Sequence, residues 1–153
     1  FYAAHILKYK YGMHPLLTTW PPILYTDYGY QNYNNWIDIG GHDNVMYKPN
    51  GRVIKLLTKL AVENLLHPFQ TFMLGQKIFS VKMALKYKIP LVFYGENEAE
   101  HGGQPLAENY VSLRKKSFFT YQNISKLYLA GIPLNELSST YSLKKKNLIW
   151  YSI

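Results

Sequence analysis

Twice along this chain an apolar pattern changes period, from helical to extended, across a glycine or a proline. Residues 1–11 set Ala3, Ala4, Ile6, Leu7 and Tyr11 on one helical stripe, and Gly12 follows where a helix C-cap glycine is expected. Pro15-Leu16-Leu17-Thr18-Thr19-Trp20 is then short, β-rich and closed by Pro21-Pro22. Further on, Gly75-Gln76-Lys77 introduces a helical segment to about Lys88, and Ile89-Pro90-Leu91-Val92-Phe93-Tyr94 reads as a buried strand closing on Gly95. Helices of this length between apolar strands imply βαβ units, and therefore a parallel sheet with right-handed crossovers. The expected class is α/β.

The best amphipathic helix is residues 51–66, with Val53, Leu56, Leu57, Leu60, Ala61 and Leu65 at helical spacing and Lys55, Lys59 and Glu63 on another side. Between residues 23 and 50 the composition shifts to Tyr, Asn, Asp and Gly, with a short helix expected over 31–39 and a short strand over 45–47. Beyond Pro105 the pattern is less regular, with helical stretches expected at 124–129 and 135–141 and a basic tail. Residues 1–104 are read as the central part of the α/β domain, and 105–153 as a mostly helical C-terminal extension of it.

A chain of 153 residues, 48% hydrophobic and 17% charged, can bury a real core as one compact domain. Its lack of cysteine excludes disulfides and thiolate metal sites in this stretch, so no structural zinc is expected. The longest apolar runs fall far short of the ~20 residues of a membrane-spanning helix, and the expectation is a soluble, cytoplasmic protein with no membrane span. The net charge of +8 is concentrated partly in Arg114-Lys115-Lys116 and Lys144-Lys145-Lys146. Such runs are usually solvated faces, so nucleic acid is not the expected partner. The start, Phe-Tyr-Ala-Ala, has no initiator Met and no capping residue, and is read as a fragment of a longer chain.

Three clusters could carry chemistry. Tyr94-Gly95-Glu96-Asn97-Glu98-Ala99-Glu100 follows the expected strand 89–94, at the end where parallel sheets collect ligands. Its carboxylates could hold Mg²⁺, with Glu96 and Glu100 the candidate ligands, or act as a general base; a solvated loop needs the same composition. In Gly40-Gly41-His42-Asp43-Asn44 two glycines let the backbone approach a ligand while His, Asp and Asn supply three kinds of hydrogen-bonding group, although an Asx-stabilised turn uses those residues too. Gly75-Gln76-Lys77 would offer an anion the free N–H groups of a helix start and one cation. His14-Pro15, His67-Pro68 and Pro49-Asn50-Gly51 are turn chemistry first. No G-x-S-x-G, G-x-x-x-x-G-K-[ST], G-x-G-x-x-G or H-E-x-x-H pattern occurs.

Three blocks together carry a resemblance: Gly40-Gly41-His42-Asp43-Asn44 followed by Pro49-Asn50-Gly51; His67-Pro68-Phe69-Gln70 with Gly75-Gln76-Lys77; and Ile89-Pro90-Leu91-Val92-Phe93-Tyr94-Gly95-Glu96-Asn97. In order and spacing they resemble the N-acetyl sugar amidotransferases of nonulosonic-acid (pseudaminic and legionaminic acid) and O-antigen sugar biosynthesis. The resemblance covers roughly the first two-thirds of the chain. It implies the PP-loop ATP-pyrophosphatase fold, a Rossmann-like parallel sheet with flanking helices. In that family an S-G-G-x-D-S phosphate loop precedes the helix corresponding to residues 1–11. That loop is not in this sequence, so the implied chain is truncated at its N-terminus and binds ATP poorly by itself.

The implied reaction converts a sugar acetamido group to an acetamidino group. ATP, with Mg²⁺, activates the carbonyl oxygen as an adenylate, and ammonia from glutaminase and cyclase-like partner subunits displaces AMP. By position, Thr18 and Thr19 would flank adenine, Gly95 and Asn97 would reach the nucleotide, and Glu96 and Asp43 would be catalytic. His42, Asn44, Gln76 and Lys77 would face the sugar. The alternatives are another PP-loop enzyme, one that modifies tRNA, and a non-catalytic α/β remnant.

Overall fold

The computed structural model describes residues 2–95 and 128–151. Helix α1 (Tyr2–Tyr9) ends as its stripe and glycine require: Gly12 takes φ +63°, and the N–H of Met13 reaches back to the Leu7 carbonyl at 2.9 Å. Strand β1 (Leu17–Thr19) follows, and Pro21-Pro22, lacking N–H donors, stops it. Helix α2 (Asp27–Asp38) starts earlier than the expected 31–39, because the Thr26 side chain caps it by accepting the N–H of Gly29 at 3.0 Å. Strand β2 (Asn44–Met46) then pairs parallel to β1, with Leu17 opposite Asn44, Thr18 opposite Val45 and Thr19 opposite Met46. A βαβ unit is therefore present, with α2 as its crossover.

Helix α3 (Gly51–Leu65) is capped by Asn50, whose Oδ1 accepts from the N–H groups of Arg52 and Val53, and it closes on Leu66 at φ +54°. Val53, Leu57, Leu60 and Ala61 of its expected stripe are buried, whereas Leu65 is exposed at the helix end. Helix α4 (Gln70–Tyr87) runs antiparallel to β1: Gly75 lies against Trp20, just past the strand's carboxyl end, and Ser80 shares a hydrogen bond with Thr18 at 2.8 Å. Gly75 is thus inside a helix that begins at Gln70, not at its start.

The expected strand at residues 89–94 is not formed. After the left-handed Lys88 (φ +57°) the N–H of Ile89 closes the α4 end on the Ala84 carbonyl at 2.8 Å, and Ile89, Leu91, Phe93 and Tyr94 are exposed. The Tyr94 hydroxyl instead donates to the Lys77 carbonyl on α4 at 2.7 Å. Apolar composition suits a segment to a sheet, but a strand needs a paired edge, and the described sheet pairs β1 only with β2.

The C-terminal part opens with a hairpin, β3 (Tyr128–Leu129) and β4 (Ile132–Pro133), antiparallel across Ala130 and Gly131. Tyr128 and Leu129 are thus strand where a helix over 124–129 is the expectation, and residues 124–127 lie outside the described ones. Both turn residues have positive φ, +57° and +78°, which costs Ala130 strain that glycine avoids. Side chains hold the turn there: the Ala130 N–H donates to Gln70 Oε1 at 2.9 Å, and Asn64 Nδ2 donates to the Ala130 carbonyl at 3.2 Å. Helix α5 (Leu134–Thr140) matches the expected 135–141. Helix α6 (Lys145–Leu148) and a 3₁₀ turn (Ile149–Tyr151) end the described chain.

One core joins the two parts. Trp20, Val53, Leu57, Leu60, Ala61, Phe79 and Met83 pack with Leu129, Ile132, Leu137, Leu143, Leu148 and Tyr151. At its centre the Trp20 ring stacks on Tyr47 at 4.7 Å and meets Phe79 and Tyr151 edge-on at 6.0 and 5.7 Å. Each such pair adds roughly 0.5–1.5 kcal/mol beyond the area it buries. The described chain is a mixed α/β structure with six helices and a small parallel two-strand sheet. Among the described residues no helix is long and apolar enough to cross a membrane.

Candidate functional site

Parallel strands give the sheet two chemically different ends. Gly40-Gly41-His42-Asp43-Asn44 connects α2 to β2 and so lies at the amino end. Two side chains of α1 reach it: Lys8 Nζ donates to the Gly40 carbonyl at 3.0 Å and to the Gly41 carbonyl, and the Tyr9 hydroxyl, beside His5, donates to the Gly40 carbonyl at 3.2 Å. These donors satisfy carbonyls that the end of α2 leaves open. Gly41 needs its glycine, at φ +57°, and a Cβ at Gly40 would lie 2.2 Å from the Trp36 carbonyl oxygen.

Within the loop, the Asp43 peptide carbonyl accepts the Leu17 N–H at 2.9 Å while its carboxylate is exposed. Asn44 is committed internally: its Oδ1 accepts from the Tyr33 hydroxyl at 3.1 Å and its Nδ2 donates to Thr19 Oγ1 at 2.8 Å. Burial of Tyr33, with Tyr25 nearby, pushes that phenol above its ordinary range, so it stays a donor at neutral pH. His42 is 6% exposed, and its Nδ1 has no hydrogen-bond partner among the described residues.

Burial, followed by the charges of Lys8 and His5, pulls His42 below its ordinary 6.5. Unfolded His42 takes up its proton near that ordinary value, whereas the folded side chain does so only at lower pH. Its contribution to stability is therefore fully present above about pH 6.5 and is lost as the pH falls through the folded value. Urea unfolding at about pH 8 and about pH 5 is expected to show a larger loss for the wild type than for His42→Phe, which cannot titrate. Equal losses would remove His42 as the cause.

At the carboxyl end the chain forms a groove of about 180 Å³. The loop after β1 contributes Trp20, Pro21, Pro22 and Ile23, helix α3 contributes Gly51, Ile54 and Thr58, and the first turn of α4 contributes Thr71 and Phe72. Thr71 is 1% exposed, in the first turn of α4. Among the described residues no ionisable side chain lines this groove.

The sequence-derived candidates thus divide between two ends. His42, Asp43 and Asn44 are together at the amino end. Gln76 and Lys77 lie on α4 next to Gly75, which packs against Trp20, near the carboxyl end, and the Tyr94 hydroxyl reaches the Lys77 carbonyl there; Gly95 follows Tyr94 in the chain. Because they sit in the second turn of α4, the free N–H groups of a helix start do not serve them, which corrects the anion reading of Gly75-Gln76-Lys77. Thr18 and Thr19 spend their hydroxyls on Ser80 and Asn44, so a nucleotide at β1 would meet peptide groups rather than side chains. Glu96, Asn97 and Glu100 lie outside the described residues. Among the described residues no three His, Asp or Glu side chains are grouped to hold a metal ion.

Sequence reasoning passed over Thr58, Thr71 and Trp20. The available signal was the Pro21-Pro22 stop after β1, which marks the sheet's carboxyl end. No protein-family model matches this chain, and no curated protein matches it with significance.

Proposed function

We propose that this chain belongs to the catalytic domain of an ATP-dependent amidotransferase that converts a sugar acetamido group to an acetamidino group. The observation that carries this reading is the order of the three sequence blocks, and a parallel β1–α2–β2 unit of the kind a Rossmann-like sheet is built from supports it. The carboxyl end of that unit, with the groove and with Lys77 of α4 nearby, is where nucleotide and sugar would meet.

In this reading ATP, held with Mg²⁺, supplies the activating adenylyl group. The chain's own residues orient the acetamido oxygen and exclude water around it, and ammonia arrives from partner subunits. The resembling enzymes carry their phosphate loop ahead of the stretch matched here, so the assay uses the product of the whole reading frame. AMP and pyrophosphate are expected to form only when ATP, an acetamido sugar and ammonia are all present. Glu96→Ala is expected to lower that turnover by roughly a hundredfold, in the range of losing a general base or a charge-stabilising group. Asp43→Ala, at the amino end of the strands, is expected to lower it less. Turnover unchanged in both variants rejects the residue assignment, and no AMP under any condition rejects the reaction.

A further inference from the structure

We propose that His42 makes the docking of helix α1 on the 40–44 loop sensitive to pH: when the buried ring takes up a proton, α1 swings away about Gly12 and uncovers the loop. The device is independent of any amidotransferase activity.

Helix α1 is held loosely. None of its residues is buried, and its apolar stripe of Ala3, Ala4, Ile6 and Leu7 is only half-buried. Among the described residues its side chains bond to the loop itself, through Lys8 Nζ on the Gly40 and Gly41 carbonyls and the Tyr9 hydroxyl on the Gly40 carbonyl. An element with so little buried surface opens at a small fraction of the cost of global unfolding. A hinge is at hand in Gly12, which takes φ +63° and has nothing within 4 Å of where a Cβ would stand.

The trigger lies against the same two glycines. His42 is 6% exposed, a Cβ at Gly40 would stand 3.0 Å from its Cδ2, and the Trp36 ring is centred 5.9 Å away. Its Nδ1 is enclosed and has no hydrogen-bond partner among the described residues. A neutral imidazole tolerates this, because one ring nitrogen carries no hydrogen. An imidazolium carries hydrogen on both and would bury a charged donor without an acceptor. The charged groups acting on the ring are Lys8 and His5 of α1 and the amino group at the start of the chain, all of which repel a further cation. Asp38 and Asp43, the nearest carboxylates along the chain, are exposed and do not offset that repulsion. Burial, and then these cations, hold His42 below its ordinary 6.5 while α1 is docked, and release into water restores that value. Docking is therefore fully favoured above about pH 6.5 and weakens as the pH falls through the docked value.

The test is hydrogen–deuterium exchange of the full-length protein between about pH 7.5 and about pH 5, read as protection factors so that the intrinsic pH dependence of exchange is removed. Protection of α1 and of residues 40–43 is expected to fall about tenfold or more across that range, while α3 and α4 keep theirs. His42→Phe and His42→Gln, neither of which titrates, are expected to abolish this pH dependence, and the second keeps the comparison valid should the first pack poorly. His5→Gln is expected to leave the pH dependence in place. Lys8→Met, which lacks the donor, is expected to leave α1 poorly protected at every pH with α3 unchanged. Protection of α1 that stays constant down to about pH 5 would overturn the proposal. So would a pH-dependent loss that persists in both His42 variants or vanishes in His5→Gln, a loss shared equally by α3 and α4, or an α1 as well protected in Lys8→Met as in the wild type.

Discussion

Gly75→Ala is expected to lower the unfolding free energy by about 2 kcal/mol, although alanine is the better helix former. Within a helix that exchange gains about 1 kcal/mol of propensity. Against it, a Cβ at this position would stand 2.2, 2.4 and 2.6 Å from Cζ2, Cε2 and Cη2 of Trp20. The indole cannot step aside, because Tyr47, Phe79 and Tyr151 hold it from other directions. Overpacking a core in this way costs roughly 1–3 kcal/mol and more where backbone must move. The comparison is Gly51→Ala at the start of α3, where nothing lies within 4 Å of the added carbon and the change should stay within about 0.5 kcal/mol. Urea unfolding of both variants checks this. A Gly75→Ala protein as stable as the wild type would mean that α4 and β1 do not pack as described.

Tyr151→Ala is expected to cost about 3–5 kcal/mol, the range for removing a fully buried aromatic side chain. Tyr151 is 2% exposed, seals the core against Trp20, and borders a small cavity of about 10 Å³, room for one water, with Asn50 and Asn147. Burial, and then the neighbouring Tyr47, pushes its phenol far above the ordinary value, so the ring is neutral at any working pH. Tyr151→Phe keeps the ring and should lose about 1 kcal/mol or less. A loss of several kcal/mol takes a third or more of a typical domain's stability, so the alanine variant should melt well below the wild type in thermal denaturation. An alanine variant as stable as the phenylalanine one would show that the end of the chain is not part of the core.

Both expectations concern places where local sequence signals pointed elsewhere. Gly75 reads as a helix start, because a glycine before a helical pattern is normally punctuation; the reason for this one is an indole contributed by a residue far back in the chain. The end of the chain reads as a basic tail, because the lysine run dominates its composition, yet Leu148 and Tyr151 are buried. Residues 89–94 have the composition of a buried strand but not the paired edge that makes one. The candidate site divides in the same way. Gly40 to Asn44 is legible as a special loop because glycines and Asx residues carry their conformational meaning locally. That this loop sits at the amino end of the strands follows only from the pairing of β1 with β2.

What the sequence determined by itself is the local layer: the α1 stripe and its Gly12 cap, β1 closed by Pro21-Pro22, the amphipathic α3 with its Asn50 cap, and a mixed α/β character. Hydrogen bonding over a few residues and the period of the apolar positions decide all of these. The tertiary structure alone decided that α2 is the crossover between two short parallel strands, that Gln70 and Asn64 hold a turn at Ala130, and that one core joins Trp20, α3 and α4 to the residues from Leu129 to Tyr151. It also decided that a buried Thr71 faces a groove beyond β1. Such features depend on which surfaces meet, and that is settled by the packing of whole side chains against distant partners, which no window of neighbouring residues contains.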